Sequence, residues 1–253
     1  PQGQDKLKDF FSFALQQDNP VYQDNWIFGQ LVGAPSRSYF RPWFENINES
    51  FARTALYIVN NNRPFTEVVT TRKHMVTSAL LSSYSFADEG GGRILGPGSR
   101  EPMGRFINKD FCSSGGCIFQ PSDFTDWRLV EFTQAPNNLS STPFNQMGTI
   151  RAVQNGDRYP LALPRVGFFN TLAFQIKWPT NEDNQFRATT NQTLIAGLGK
   201  TIEAGDPTAH DTLAALDPVH APQTTSCFQC HRKMDPMRDV FRSAYNYGYR
   251  DNF

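Results

Sequence analysis

The sequence predicts a mainly α-helical chain with a large, irregular, loop-rich middle that holds a few short strands. Three observations carry this reading. Apolar residues recur at helical spacing near the N-terminus and again beyond residue 165. Glycine and proline turn signals crowd the stretch between residues 85 and 160. Hydrophobic residues make up 39% and charged residues 19% of the 253 positions, a globular balance rather than a disordered one. The pattern divides the chain into residues 1-84, an N-terminal helical region, 85-160, a loop-rich insertion, and 161-253, a C-terminal helical region.

Residues 5–17 read as a short amphipathic helix. Residues 43–60 read as a longer one, from Trp43 to Asn60, closed by Asn60-Asn61-Asn62 ahead of Arg63-Pro64. Residues 64–84 read as a third, with Pro64 suited to the first turn and Val68, Val69, Met75, Leu80 and Leu81 as apolar positions. Turn signals then follow at short intervals: Gly90-Gly91-Gly92, Gly96-Pro97-Gly98, Pro121 and Ala135-Pro136-Asn137-Asn138. Helical patterns return from Val166 to Lys200, interrupted at Trp178-Pro179. A linker marked by Asp206-Pro207, Asp217-Pro218 and Ala221-Pro222 precedes a last helix from about Asp235 to Tyr247.

Composition narrows the function classes. Lys and Arg number 24 against 24 Asp and Glu, so the basic excess of a nucleic-acid-binding surface is missing. No apolar run approaches the ~20 residues that a helix needs to span a bilayer. The start, Pro1-Gln2-Gly3-Gln4-Asp5, reads as a processed or trimmed end. Phenylalanine is abundant, with 22 against 4 Trp and 8 Tyr. A side chain without a polar handle implies extended apolar surface, first of all ordinary core, then a cofactor surround or a subunit contact.

The four cysteines form two local pairs. Cys112 and Cys117 bracket Ser113-Ser114-Gly115-Gly116, and the glycines let so short a loop close into a disulfide. Such a bond points to an oxidising compartment. Two unpaired thiols are the plain alternative, and a metal site fits less well because no His or further Cys lies close in sequence.

The second pair carries chemistry. In Cys227-Phe228-Gln229-Cys230-His231 two thiols stand three residues apart and an imidazole follows at once. Thioether attachment of a porphyrin needs two thiols spaced to its two vinyl groups, and a histidine placed beneath the iron. Cys-x-x-Cys-His supplies both on one turn of helix. Chance gives the pattern on the order of once in a thousand such chains. A redox-active dithiol would sit in a βαβ setting that the flanking sequence lacks. Half of a zinc site would need a second, suitably spaced cysteine pair. The expectation is one covalent haem c, attached through Cys227 and Cys230, with His231 as proximal iron ligand.

The other axial position has several candidates: His74, His210, His220, Met75, Met103, Met147, Met234 and Met237. Met234 lies three residues after His231, about one helical turn on, and should stay on the proximal side. His220 precedes Cys227 by seven residues, and an extended chain of that length reaches ~23 Å, enough to cross a haem edge. His220 is therefore the preferred distal ligand, a surface histidine or a propionate partner being the alternatives. His74, inside an expected helix, reads as structural.

The C-terminal third resembles the cytochrome-c-like domains of unknown function found in planctomycete proteins. Those carry Cys-x-x-Cys-His, two residues, an apolar residue, Asp-Pro and a short helix. Here the run is Cys227-Phe228-Gln229-Cys230-His231-Arg232-Lys233-Met234-Asp235-Pro236, closing at Gly248-Tyr249-Arg250. The family also has a histidine shortly before the first cysteine, matched by His220. Arg63-Pro64-Phe65-Thr66-Glu67 with the segment from His74 to Tyr84, and Arg165-Val166-Gly167-Phe168-Phe169-Asn170-Thr171 with Arg187, resemble upstream segments in the family's order. The chain has Arg238 where the family usually has Gly, and Asn191-Gln192 in place of an Arg-Gly pair. The cysteine-bearing stretch near 90–120 reads as an insertion. The resemblance implies a helical, c-type cytochrome-like, exported haem protein, periplasmic or at an outer surface.

Electron transfer to a redox partner protein or within a larger complex ranks first among functions, because a doubly ligated haem exchanges electrons without binding substrate. A haem enzyme of peroxidase or oxygenase type would need an open iron and a distal acid–base group, for which no motif is present. An accessory subunit of a larger complex is the third reading.

Overall fold

A computed structural model of the chain describes residues 2–15, 17, 37–88, 119–134, 147–161, 165–178, 186–202, 222–225 and 227–242. The described residues are mainly helical, with one small sheet. Two compact units form, one built mainly from Pro1–Lys177 and the other mainly from Trp178–Tyr245. The break thus falls inside the region 161-253, at the Trp178-Pro179 interruption, and the three sequence regions are divisions of sequence character rather than of compactness.

In the first unit, α1 spans Gln2–Ala14 and α2 spans Arg37–Asn60. Helix α2 ends at the expected Asn60 but begins six residues before Trp43. Pro42 lies inside it, near its start, where it removes one helical N–H. One face of α2 buries Trp43, Phe44, Ile47, Phe51, Ala55 and Ile58, each at most 3% exposed. Spacings of three and four put them on one stripe, and each large apolar side chain buried this way contributes ~1.5–3 kcal/mol. Lys8 of α1 and Arg53 of α2 both reach Glu49, tying the two helices.

The expected helix over 64–84 is not a single helix. A 3-10 turn at Phe65–Val69 is followed by strand β1, Lys73–Val76, and then by α3, Ser78–Asp88. The run Val68-Val69-Thr70-Thr71 is β-branched and crowds a helical turn, and distant strands supply the pairing that local sequence cannot display. Strand β2, Arg128–Gln134, pairs antiparallel with β1, with His74 opposite Val130, and β3, Arg158–Leu161, pairs parallel with β2, with Phe132 opposite Tyr159. Both β2 and almost all of β3 fall in the loop-rich middle, as the short strands expected there. Pro160 sits on β3, at the sheet edge where a missing donor is tolerated.

The other edge, β1, is satisfied by α2 rather than by a strand. Ser50 Oγ donates to the Met75 carbonyl at 2.6 Å, and the Met75 N–H donates to Thr54 Oγ1 at 2.9 Å. Two hydroxyls one helical turn apart therefore blunt an edge that would otherwise template another chain. Helix α3 starts under similar control: the Ser78 N–H and hydroxyl both donate to the Asp126 carboxylate, a negative charge at the positive end of the helix.

The rest of the unit closes over this layer. Helix α4, Met147–Ala152, lies inside the middle, a short helix where loops and strands are expected, and helix α5, Leu172–Lys177, follows a 3-10 turn at Phe168–Asn170. Phe168 meets Phe51 at 4.3 Å between ring centroids and Phe174 at 5.2 Å, so the abundant phenylalanine is here chiefly core. Gly167 donates its N–H to the Thr71 carbonyl and has φ +66°. A Cβ at that position would collide with the Val69 backbone, so this close approach requires glycine.

The second unit contributes α6, Arg187–Leu198, and α7, Cys227–Met237, which pack against each other, and α8, Asp239–Arg242. The last helix was expected to start at about Asp235; α7 instead starts at Cys227 and contains the whole cysteine–histidine motif. Pro236 lies in its last turn and the chain breaks at Arg238 before α8. Residues 243–247 of the expected helix lie outside the described residues. Among the described residues no helix is long and apolar enough to cross a membrane.

Candidate haem-attachment site

The helix that carries the motif fixes its geometry. Cys227, Cys230 and His231 occupy positions i, i+3 and i+4 of α7 and so share one face. Cys227 is exposed and Cys230 half-buried; both are free thiols that make no disulfide with one another. Among the described residues no group of three or more His, Cys, Asp or Glu converges as a chelating cluster, so these three side chains sit along the helix rather than around a point.

One turn beyond His231 stands Asp235, whose side chain is 0% exposed. Its Oδ2 lies 3.5 Å from His231 Nδ1. A buried carboxylate is expensive unless cations meet it, and two arginines do. Arg187 donates from Nε to Oδ1 at 2.7 Å and from Nη2 to Oδ2 at 3.1 Å, a bidentate clamp that joins α6 to α7. Arg238 Nε lies 3.6 Å from Oδ1 and donates to the Asp235 carbonyl. Burial pushes the Asp235 carboxyl up, but Arg187, Arg238 and His231 together outweigh it and hold it below the usual carboxylate range.

The position of Arg187 needs a reason. It is the first residue of α6, where a cation opposes the helix dipole, and it is buried. The preceding Phe186 is held in the left-handed region at φ 67°, an uncommon conformation for a bulky residue. The salt bridge to Asp235 supplies the compensation for both. Arg187 Nη1 and Arg232 Nε are buried without a hydrogen-bond partner.

These residues fit a covalent haem. Two thiols one turn apart could meet two vinyl groups, and the adjoining imidazole has its Nδ1 side toward a carboxylate, which would leave Nε2 for iron. The spare arginine N–H groups suit the acceptor oxygens of propionates. No protein-family model matches the chain, and comparison with curated proteins and with solved structures returned no match.

The remaining axial candidates divide sharply. His220, His210 and Met103 lie outside the described residues, as do Cys112 and Cys117 with their expected disulfide. Met234 and Met237 lie on α7 with His231. Met75 and Met147 belong to the first unit, on β1 and α4. His74 is on strand β1, not in a helix, is 3% exposed and stacks on Phe132 at 5.0 Å. It is a core residue, as its sequence reading held, though on a different element.

In the sequence Asp235 and Arg187 stand only as matches to a pattern, and their joint role is not visible. The i, i+4 spacing of His231 and Asp235 is visible in sequence once the helix is known to start at Cys227. The pairing with Arg187, 48 residues away, is not.

Proposed function

We propose that this chain is an exported c-type haem protein that transfers electrons, alone or as a subunit of a larger complex. Cys227 and Cys230 hold the haem covalently, His231 is the proximal ligand and His220 the distal one. A bound haem would supply a one-electron iron couple. The observation that carries the reading is a Cys-x-x-Cys-His run on one helical face whose histidine has its Nδ1 toward a buried carboxylate. Cytochrome-like character, periplasmic location and the resemblance to planctomycete cytochrome-c-like domains belong to the same reading. So does a redox partner protein.

The chain's own residues would do three things. The thiols anchor the ring, so affinity no longer depends on axial ligation alone. Asp235 and Arg187 hold the His231 ring in one orientation. His220, bracketed by Pro218 and Pro222, would close the far side against small ligands. A second reading, a haem enzyme with an open iron, draws on the His231–Asp235 contact, since a carboxylate-backed histidine also suits an iron that must give up electron density.

Optical spectra of the oxidised and reduced protein separate the two. Electron transfer predicts six-coordinate, low-spin iron in both states. His220→Ala should then turn high-spin, or bind imidazole and CO far more readily. A wild-type spectrum already high-spin would favour the enzyme. An unchanged low-spin spectrum in the variant would move the ligand to a methionine or to His210.

A further inference from the structure

Asp235 does more than join two helices. Its carboxylate faces His231 Nδ1 from one turn along α7, at 3.5 Å, while both of its oxygens are engaged by Arg187 at 2.7 and 3.1 Å. The Asp235 side chain is 0% exposed, so bulk water does not reach its charge to screen it. The clamp also removes rotational freedom, because a carboxylate gripped by a planar guanidinium cannot swing away from the ring. An anion held beside a histidine's outer nitrogen makes its other nitrogen a stronger donor through charge alone.

Resting on the haem reading above, we infer that Asp235 is the positioning residue for His231 and lowers the reduction potential of the iron that His231 would bind. Arg187 holds the carboxylate in register. Arg238, 3.6 Å from Oδ1 and 13% exposed, draws charge from the same group and moderates its effect. Asp235 and its neighbour Arg238 thus act in opposite senses: Asp235 strengthens electron donation to ferric iron, and Arg238, by drawing charge from Asp235, weakens it. The partner best served is one that accepts electrons from a low-potential donor.

The test uses the mature haem protein and two variants, Asp235→Asn and Arg238→Gln. Asparagine keeps the shape and one acceptor oxygen but removes the charge. Redox titration should show the potential shifted upward in Asp235→Asn and downward in Arg238→Gln. Proton NMR should show faster solvent exchange of the His231 ring N–H in Asp235→Asn only, which a purely structural tie between α6 and α7 would not produce. Circular dichroism and the mass of the attached haem are read on each sample. Haem attached and helix content kept, with an unmoved potential and unmoved N–H exchange in Asp235→Asn, overturns the inference alone. Should Asp235→Asn fail to fold, an unmoved or raised potential in Arg238→Gln overturns it. Absence of covalent haem from the wild-type chain overturns the haem reading and the inference together.

Discussion

His74 stands on β1 with its ring against Phe132 and is 3% exposed. Burial pushes its imidazole down from the ordinary 6.5 to about 4; the positive charge of Arg165 acts in the same direction, and a hydrogen bond to the Arg165 backbone acts against it. The folded pKa is depressed, so below pH 6.5 the unfolded chain binds a proton that the native state refuses. This contribution to stability is complete above pH 6.5 and is lost as the pH falls toward 4. Across the whole window it amounts to about 3 kcal/mol. His74→Gln cannot titrate. Urea unfolding at several pH values between 4 and 7 should therefore show a flatter loss of stability in the variant than in the wild type, whatever its starting level. Parallel slopes would show that His74 is not the group responsible. At this scale the sequence was informative about chemistry and weak about surroundings. The motif alone points to Cys227, Cys230 and His231 as the proposed site, whereas the clamp of Arg187 on Asp235 depends on a contact between separate helices.

Among the elements, those closed by local signals were legible. Helix α2 ends where Asn60-Asn61-Asn62 and Pro64 say it should, and the helical pattern after Val166 breaks at Trp178-Pro179. Strand β1 was not legible, because its period-two burial spans only four residues and its stability comes from β2 on one side and the hydroxyls of Ser50 and Thr54 on the other. The start of α7 was misplaced for a related reason. Cys-Phe-Gln-Cys-His offers little amphipathic pattern of its own, and α7 packs against α6, a contact that local sequence does not display. Gly167 is the tightest of these non-local constraints. Gly167→Ala would combine a left-handed backbone with a collision against Val69, and should destabilise the first unit by about 3 kcal/mol or more. Denaturant titration of the purified variant measures this directly. A loss below about 1 kcal/mol would mean that the segment before α5 relaxes away from Val69 without penalty.

For the whole molecule, the phenylalanine-rich first unit and the motif-bearing second unit divide the labour. The first buries Trp43, Phe44, Phe132, Phe168 and Phe174 in a conventional core with a short sheet. The second has its best-engaged charged group, Asp235, directly beside the histidine of the motif. Mainly helical class and short strands in the middle followed from composition and turn spacing. The division into units did not, since a boundary at Lys177 depends on which helices gather around which core. The central claim concerns Cys227 and Cys230, and intact mass of the denatured chain addresses it most directly. The protein is produced in a host that attaches c-type haem, denatured in acid and weighed beside Cys227→Ala/Cys230→Ala. The account predicts a wild-type mass raised by one haem and a double variant at the mass of the bare polypeptide. A wild-type chain that also weighs as bare polypeptide contradicts it.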